Sequence, residues 1–362
     1  MRTACMLVLL YGLAWGAQAQ PLLLRGTIAD SLARQPLAGV HAFLARTTIG
    51  TVTDSAGHFH LVIPEGTRGI LCLSLVGYAS RRFSLEHLPL PDTIFLAPRI
   101  LTLPTVIVED SPPRRWKKHL KRFEKLFLGE TATARQTHIL NPYVLSFTST
   151  WWGKLEAEAR EPLIIENRAL GYRIRYFLTS FRHEGTTTWY DGEPLFEPLH
   201  PSSPQEARRW EEAREKAYRG SLRHFLRALV ADRLEEEGFS ILICPTREEL
   251  QRAHGARFLA SRKHLLEPAD SAGLYSLHFR GYLEITYWQE PEEEAYPSWT
   301  GSFRSPGGTQ RSWLKLSCPA VTITATGLVR DGACLTQMGY WAFERFASAL
   351  PEDYRLPALA TR

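Results

Sequence analysis

Apolar and polar positions along the chain fall into two regimes. Between residues 22 and 98 the apolar runs are short and end in turn chemistry. They cover Leu22 to Ile28, Gly39 to Ala45, Thr51 to Asp54, Phe59 to Ile63 and Ile70 to Val76, then a run opening at Gly77-Tyr78, then Thr93 to Leu96. Asp54-Ser55-Ala56-Gly57 and Pro64-Glu65-Gly66 punctuate them. Ile70 to Val76 is near-continuously apolar, as a strand buried on both faces would be. Seven short strands with no helical pattern between them predict a seven-stranded antiparallel β-sandwich.

Beyond Asp110-Ser111-Pro112-Pro113, which reads as a linker, the period changes. Trp116, Leu120, Phe123 and Phe127 recur at helical spacing, surrounded by Arg114, Arg115, Lys117, Lys118, Lys121, Arg122 and Lys125. Residues 144 to 199 are mostly strand-like, at Leu155 to Ala159, Leu163 to Glu166 and Tyr172 to Phe181. Residues 204 to 236 read as helical, with Trp210, Ala213 and Ala217 on one face. Arg219-Gly220-Ser221 interrupts that run, and Ser221 caps a second helix with Leu222, Phe225, Leu226 and Leu229 inward. Strand signals return at Ser240 to Ile243, Gly273 to Trp288, Ser312 to Leu316 and Val321 to Thr326. A last helical piece runs from Tyr340 to Leu350. The chain is thus expected to be mainly β with an α+β second domain. The sandwich spans 20–98, a linker strand and basic helix 99–130, and an antiparallel sheet with a helical insertion 131–362.

The first residues give an address. Arg2, the apolar stretch Met6 to Trp15 and the small-x-small triplet Ala17-Gln18-Ala19 predict a signal peptide over 1–19, cleaved before Gln20. Cys5 lies at the front of the apolar stretch, which disfavours a lipoprotein anchor, and no later run offers about 18 uninterrupted apolar residues. Of the remaining cysteines, Cys72 sits in an apolar run and reads as a buried free thiol. A bridge among Cys244, Cys318 and Cys334 would leave one thiol over. The 362 residues, 44% hydrophobic and 22% charged, suit two globular domains, and a net charge of +5 gives no reason to expect nucleic acid.

Four strings carry a resemblance: Gly26-Thr-Ile-x-Asp30, Pro36-Leu-Ala-Gly-Val40, Gly50 to Phe59 (GTVTDSAGHF) and Leu73-Ser-Leu-Val-Gly-Tyr78. In order and spacing they resemble the carboxypeptidase-regulatory-like domain found at the N-termini of envelope proteins in diderm bacteria, which implies a β-sandwich of the transthyretin (prealbumin) type. Despite its name, that module carries no catalytic residues. Leu96 to Glu109 resembles the strand by which it leaves in receptor proteins. Further on, FLGE at 127–130, PLIIEN at 162–167, LGY at 170–172, YRGSLRHFLRAL at 218–229 and GYW at 339–341 resemble an uncharacterised envelope family. There the same sandwich precedes a domain of unknown function. The resemblance implies a periplasmic, outer-membrane or cell-surface location and brings no activity with it.

Chemical motifs are incomplete. His264-Leu-Leu-Glu267 lacks the distant third histidine of a metallocarboxypeptidase, and His183-Glu184 lacks the second histidine of a zincin. Ser312 and Lys315, at strand spacing, point to opposite faces, whereas His58 and His60 share one face around Phe59, which the resemblance implies is the solvent-facing one. Ser221 and His224 read as a helix cap and a helix-face histidine without an orienting carboxylate. The triplets Glu235 to Glu237 and Glu292 to Glu294 read as a helix end and a solvated loop. No cofactor or metal motif is complete. The leading expectation is a non-enzymatic envelope protein that binds another envelope protein or a surface glycan. Helix 114–125 is a candidate peripheral membrane contact. Glu166, Asn167, Tyr172, Trp189 and Tyr190 are the candidate binding residues. The alternative is a glycan or peptide hydrolase using Glu166, Asn167 and Tyr172. Of the adjacent aromatics Trp151-Trp152, Trp189-Tyr190, Tyr287-Trp288 and Tyr340-Trp341, each strand-borne pair should put one ring inward.

Overall fold

The computed structural model describes residues 21–99, 114–252, 254–269, 271, 273–301, 307–330 and 332–356. The leader at 1–19, the linker at 110–113 and most of the Leu96 to Glu109 segment lie outside them. The chain divides into two compact units: Met1–Phe43 with Ile49–Arg99, and Leu44–Thr48 with Ile100–Arg362.

The first unit is built from β1 (Leu22–Asp30), β2 (His41–Leu44), β3 (Gly50–Val52), β4 (His58–Ile63), β5 (Ile70–Ser74), β6 (Arg81–Ser84) and β7 (Thr93–Leu96). They form a three-stranded sheet, β4-β1-β7, and a four-stranded sheet, β3-β2-β5-β6. Strand β4 buries Phe59, Leu61 and Ile63 and exposes His58, His60 and Val62, the alternation a half-covered sheet requires. Its apolar face joins Ile28, Val40, Ala42, Leu71, Leu73, Ile94 and Leu96 in one core. One pairing is parallel, β1 with β7. The rest of the module lies between those two strands, so no tight turn obliges them to run antiparallel. The run after Gly77-Tyr78 becomes strand only at Arg81, and Tyr78 makes an isolated bridge to Pro98.

The second unit opens with α1 (Arg114–Leu128), followed by β8 (Thr137–Ile139), β9 (Leu145–Ser149), β10 (Leu155–Ala159), β11 (Leu163–Asn167), β12 (Tyr172–Glu184) and β13 (Thr187–Pro198). The long β12 pairs β11 along its first half and β10 near its end, with β13 along its other edge. Helix α1 lays Phe123 and Phe127 on this six-stranded sheet. Phe123 meets Phe181 edge-on at 4.7 Å, and Phe127 touches Tyr176, Tyr190 and Phe346.

Helices α2 (Pro204–Tyr218) and α3 (Leu222–Val230) follow, then β14 (Phe239–Cys244), α4 (Arg247–Gln251), β15 (Phe258–Leu259), α5 (Arg262–Leu265), β16 (Leu266–Pro268), β17 (Leu274–Leu277), β18 (Tyr282–Pro291), α6 (Ala295–Trp299), β19 (Thr309–Leu316), β20 (Val321–Thr324), β21 (Leu335–Gly339) and α7 (Tyr340–Glu344). They build a five-stranded sheet, β15-β14-β18-β19-β21, and a three-stranded one, β16-β17-β20. As the sequence predicts, Ser221 caps α3 through its hydroxyl, and Ser203 does the same for α2. The helical reading to residue 236 overruns: α3 stops at Val230, and Asp232 is left-handed at φ 58°. The strand signal Gly273 to Trp288 is two strands in different sheets, parted at Gly281. The last helical piece is one turn, because Arg345 at φ 50° breaks it. Glu292 is buried rather than in a solvated loop. A disulfide joins Cys318 to Cys334, while Cys72 and Cys244 are buried and lie outside it.

Candidate functional site

The β11–β12 hairpin brings Glu166, Asn167 and Tyr172 together, with Asn167 and Tyr172 directly paired. Each has work inside the fold. Asn167 is fully buried: its Nδ2 donates to the Ala347 carbonyl at 2.8 Å, and its Oδ1 accepts the Leu170 N–H at 3.0 Å. Tyr172 lies in the core under the Arg214 guanidinium, 4.3 Å from the ring centre, and burial raises its hydroxyl pKa. Both Glu166 oxygens accept from arginine, Arg168 at 2.7 Å and Arg173 at 3.2 Å, which holds its carboxyl below the usual range. The charges facing this carboxylate are therefore cations and not a second carboxylate. Across the sheet Tyr190 turns toward Phe127, 5.1 Å away, while its neighbour Trp189 is exposed under Arg182.

Ser221 and His224 do have a nearby carboxylate, which spacing alone did not indicate. His224 is buried and its Nε2 lies 3.1 Å from Glu237 Oε2. Its Nδ1, however, accepts the Gly220 N–H at 3.1 Å, so Nε2 is the nitrogen that donates. Ser221 Oγ meanwhile donates to the Tyr218 carbonyl at 2.6 Å and accepts the His224 backbone N–H. Both ring nitrogens are spent and neither faces the serine hydroxyl. The trio is a structural clamp between α3 and the turn before β14, and a nucleophile–base pair is not formed.

The most exposed chemistry lies elsewhere in this unit. The turn between β9 and β10 carries Trp151 and Trp152, 92% and 62% exposed, packed edge-to-face on each other at 5.4 Å. A strand would have turned one ring inward; a turn leaves both outside. Helix α1 runs beside β9 and is fastened to that strand and to the turn that follows it. Trp116 Nε1 donates to the Leu145 carbonyl at 3.0 Å, Arg115 to Ser149 Oγ at 3.0 Å, and Arg122 to the Gly153 carbonyl at 2.7 Å. Arg122 thus ties the helix to the tryptophan turn itself. Arg114, Arg115, Lys117, Lys118 and Lys121 stay exposed, and among the described residues none of them has a carboxylate at ion-pair distance. Burial and the cations Arg115, Arg122 and Lys118 lower the pKa of His119 on the same helix. The surface joins a concentrated positive charge to two large amphipathic rings.

In the first unit the strings that carry the resemblance are joined by hydrogen bonds. Tyr78 donates its hydroxyl to Asp30 Oδ2 at 2.8 Å, while Asp30 Oδ1 accepts the N–H groups of Leu32 and Ala33. Thr53 Oγ1 accepts the Val40 N–H and donates to the Leu37 carbonyl. Gly57, at φ 74°, approaches so closely that a Cβ would sit 2.5 Å from the Ile28 oxygen. Residues 24–108 match the CarboxypepD_reg-like domain. In this CarboxypepD_reg-like domain the family strings are the residues that pin β1 to the turns around it. His58 and His60 lie exposed on β4 on either side of buried Phe59. No curated protein matches the chain.

Proposed function

We propose that this is an exported, non-enzymatic cell-envelope protein that works by binding, and that its second unit docks on an anionic lipid surface through α1 and the Trp151-Trp152 turn. The observation that carries this is the Arg122–Gly153 hydrogen bond, which locks two exposed tryptophans beside a basic face without a paired carboxylate among the described residues. Tryptophan rings favour the headgroup level of a bilayer, and each Lys or Arg near an anionic surface contributes about 1 kcal/mol of attraction. The predicted leader and the CarboxypepD_reg-like domain, whose relatives accompany envelope proteins, support an envelope address. The structural duties of Asn167 and Tyr172 and the arginine pairing of Glu166 argue against a hydrolytic centre on the β11–β12 hairpin.

The test is co-sedimentation of the mature protein with vesicles rich in phosphatidylglycerol and with vesicles of phosphatidylcholine alone. Binding is expected only to the anionic vesicles, weakening as salt is added. A triple exchange of Lys117, Lys118 and Lys121 to Glu should weaken it roughly a hundred-fold or more, from the loss of three such attractions. W151A/W152A should release the protein while leaving its melting temperature unchanged, since both rings are exposed. Equal binding to both vesicle types, or no binding, would overturn the lipid reading. Capture of a defined envelope protein or glycan through the same tryptophans would replace it.

A further inference from the structure

One end of the five-stranded sheet opens into a cleft of about 580 Å³. Three strand ends build it: the exit of β14 at Pro245, the entry to β18 at Gly281 and the exit of β19 toward Cys318. Gly281 is left-handed at φ 79°, and a Cβ there would lie 2.4 Å from the Cys244 oxygen. That close approach draws the turn carrying Arg280 against the segment that starts α4 at Arg247. On the other wall the Cys318–Cys334 disulfide ties the exit of β19 to the entry of β21.

We infer that this cleft binds a phosphate group, carried on a small molecule or on a lipid headgroup. Arg247, Arg280 and Lys315 all line it, and no aspartate or glutamate does. Among the described residues none of the three is ion-paired, and the Lys315 ammonium sits 5.3 Å over the Tyr282 ring. Tyr282 is 7% exposed, yet its hydroxyl has no hydrogen-bond partner among the described residues, although the residue lines the cleft. A phosphate monoester carries about −1.5 to −2 charge at neutral pH and offers three acceptor oxygens, matching two guanidinium forks, one ammonium and one phenol. A single carboxylate would leave most of that positive charge uncompensated. The ring of Tyr282 and the apolar faces of Pro245 and Pro319 could hold the remainder of a small ligand.

The experiment titrates the mature full-length protein with inorganic phosphate against sodium chloride at matched ionic strength, following thermal unfolding and ³¹P line width. Saturable stabilisation by phosphate alone is expected. R280Q and K315Q, both at exposed positions, should each weaken it about ten-fold or more while leaving the phosphate-free melting temperature unchanged. Stabilisation no greater than with chloride, or insensitive to both substitutions, would overturn the assignment. Vesicles bearing phosphatidic acid that compete with phosphate through Arg280 point to a lipid headgroup as the source; competition by a soluble phosphomonoester alone points to a small molecule. W151A/W152A should retain phosphate binding, so failure of the membrane reading and failure of this one are separable.

Discussion

Asn167 shows how much a single side chain can decide. It closes the hairpin by capping Leu170 and reaches the Ala347 carbonyl, far away in sequence, from a position with no solvent access. Replacing it with alanine strands a buried N–H and a buried carbonyl, each costing roughly 1–3 kcal/mol when left unmade. N167A is therefore expected to lower unfolding stability by about 2–5 kcal/mol in a urea titration. A residue held for ligand contact would instead lose binding with little change in stability. That outcome would return Asn167 to the list of binding residues. Glu166 and Tyr172, the neighbours chosen with it, are tied to arginines and to the core in the same way. Sequence strings that cluster in space need not mark a site; here they mark the places where the hairpin is fastened.

Elements were legible wherever their own periodicity reports their burial. Strand β4 alternates strictly, α1 repeats its aromatics at helical spacing, and the serine cap of α3 is local chemistry. What the pattern missed depends on partners distant in sequence. The β17–β18 break rests on Gly281 packing against Cys244 and Pro245, and Glu237 meets His224 only because Asp232 and Gly238 turn the chain back. The tryptophan turn was visible as an adjacent pair, but its exposure follows from the turn and its meaning from Arg122. The disulfide belongs to this class too. Its 16-residue separation encloses β20, which leaves the five-stranded sheet to complete the three-stranded one before the chain returns as β21. Closing a loop of that length removes about 3 kcal/mol of chain entropy from the unfolded state. C318S/C334S, or the reduced wild type, should lose on the order of that amount in denaturant titrations. An unchanged midpoint would mean that β20 is held by its sheet partners alone.

At the scale of the molecule, pH is the variable that sums over many groups, and two of them pull in opposite directions. Glu344, on α7, is pushed up to about 8 by burial and by the facing carboxylates Glu293 and Glu290, with Lys216 partly offsetting them. Its folded pKa exceeds the ordinary 4.5, so the folded state holds a proton that the unfolded chain has already released. That contribution is fully present below the ordinary value and is lost as pH climbs toward 8. Burial lowers His224 below its ordinary 6.5 despite the Glu237 contact, so its contribution is present above that value and lost as pH falls through and below it. Stability should thus decline toward alkaline pH for one reason and toward acid for another. E344Q separates them, because glutamine keeps the shape and removes the titration. Its melting temperature minus that of the wild type is expected to grow from about pH 5 and to level off above about pH 8, since only the wild type loses that proton from the folded state over that window. A difference that stays constant across that range would mean that Glu344 is ionised in the folded protein and that the acidic neighbours on β18 and its following turn do not set its charge.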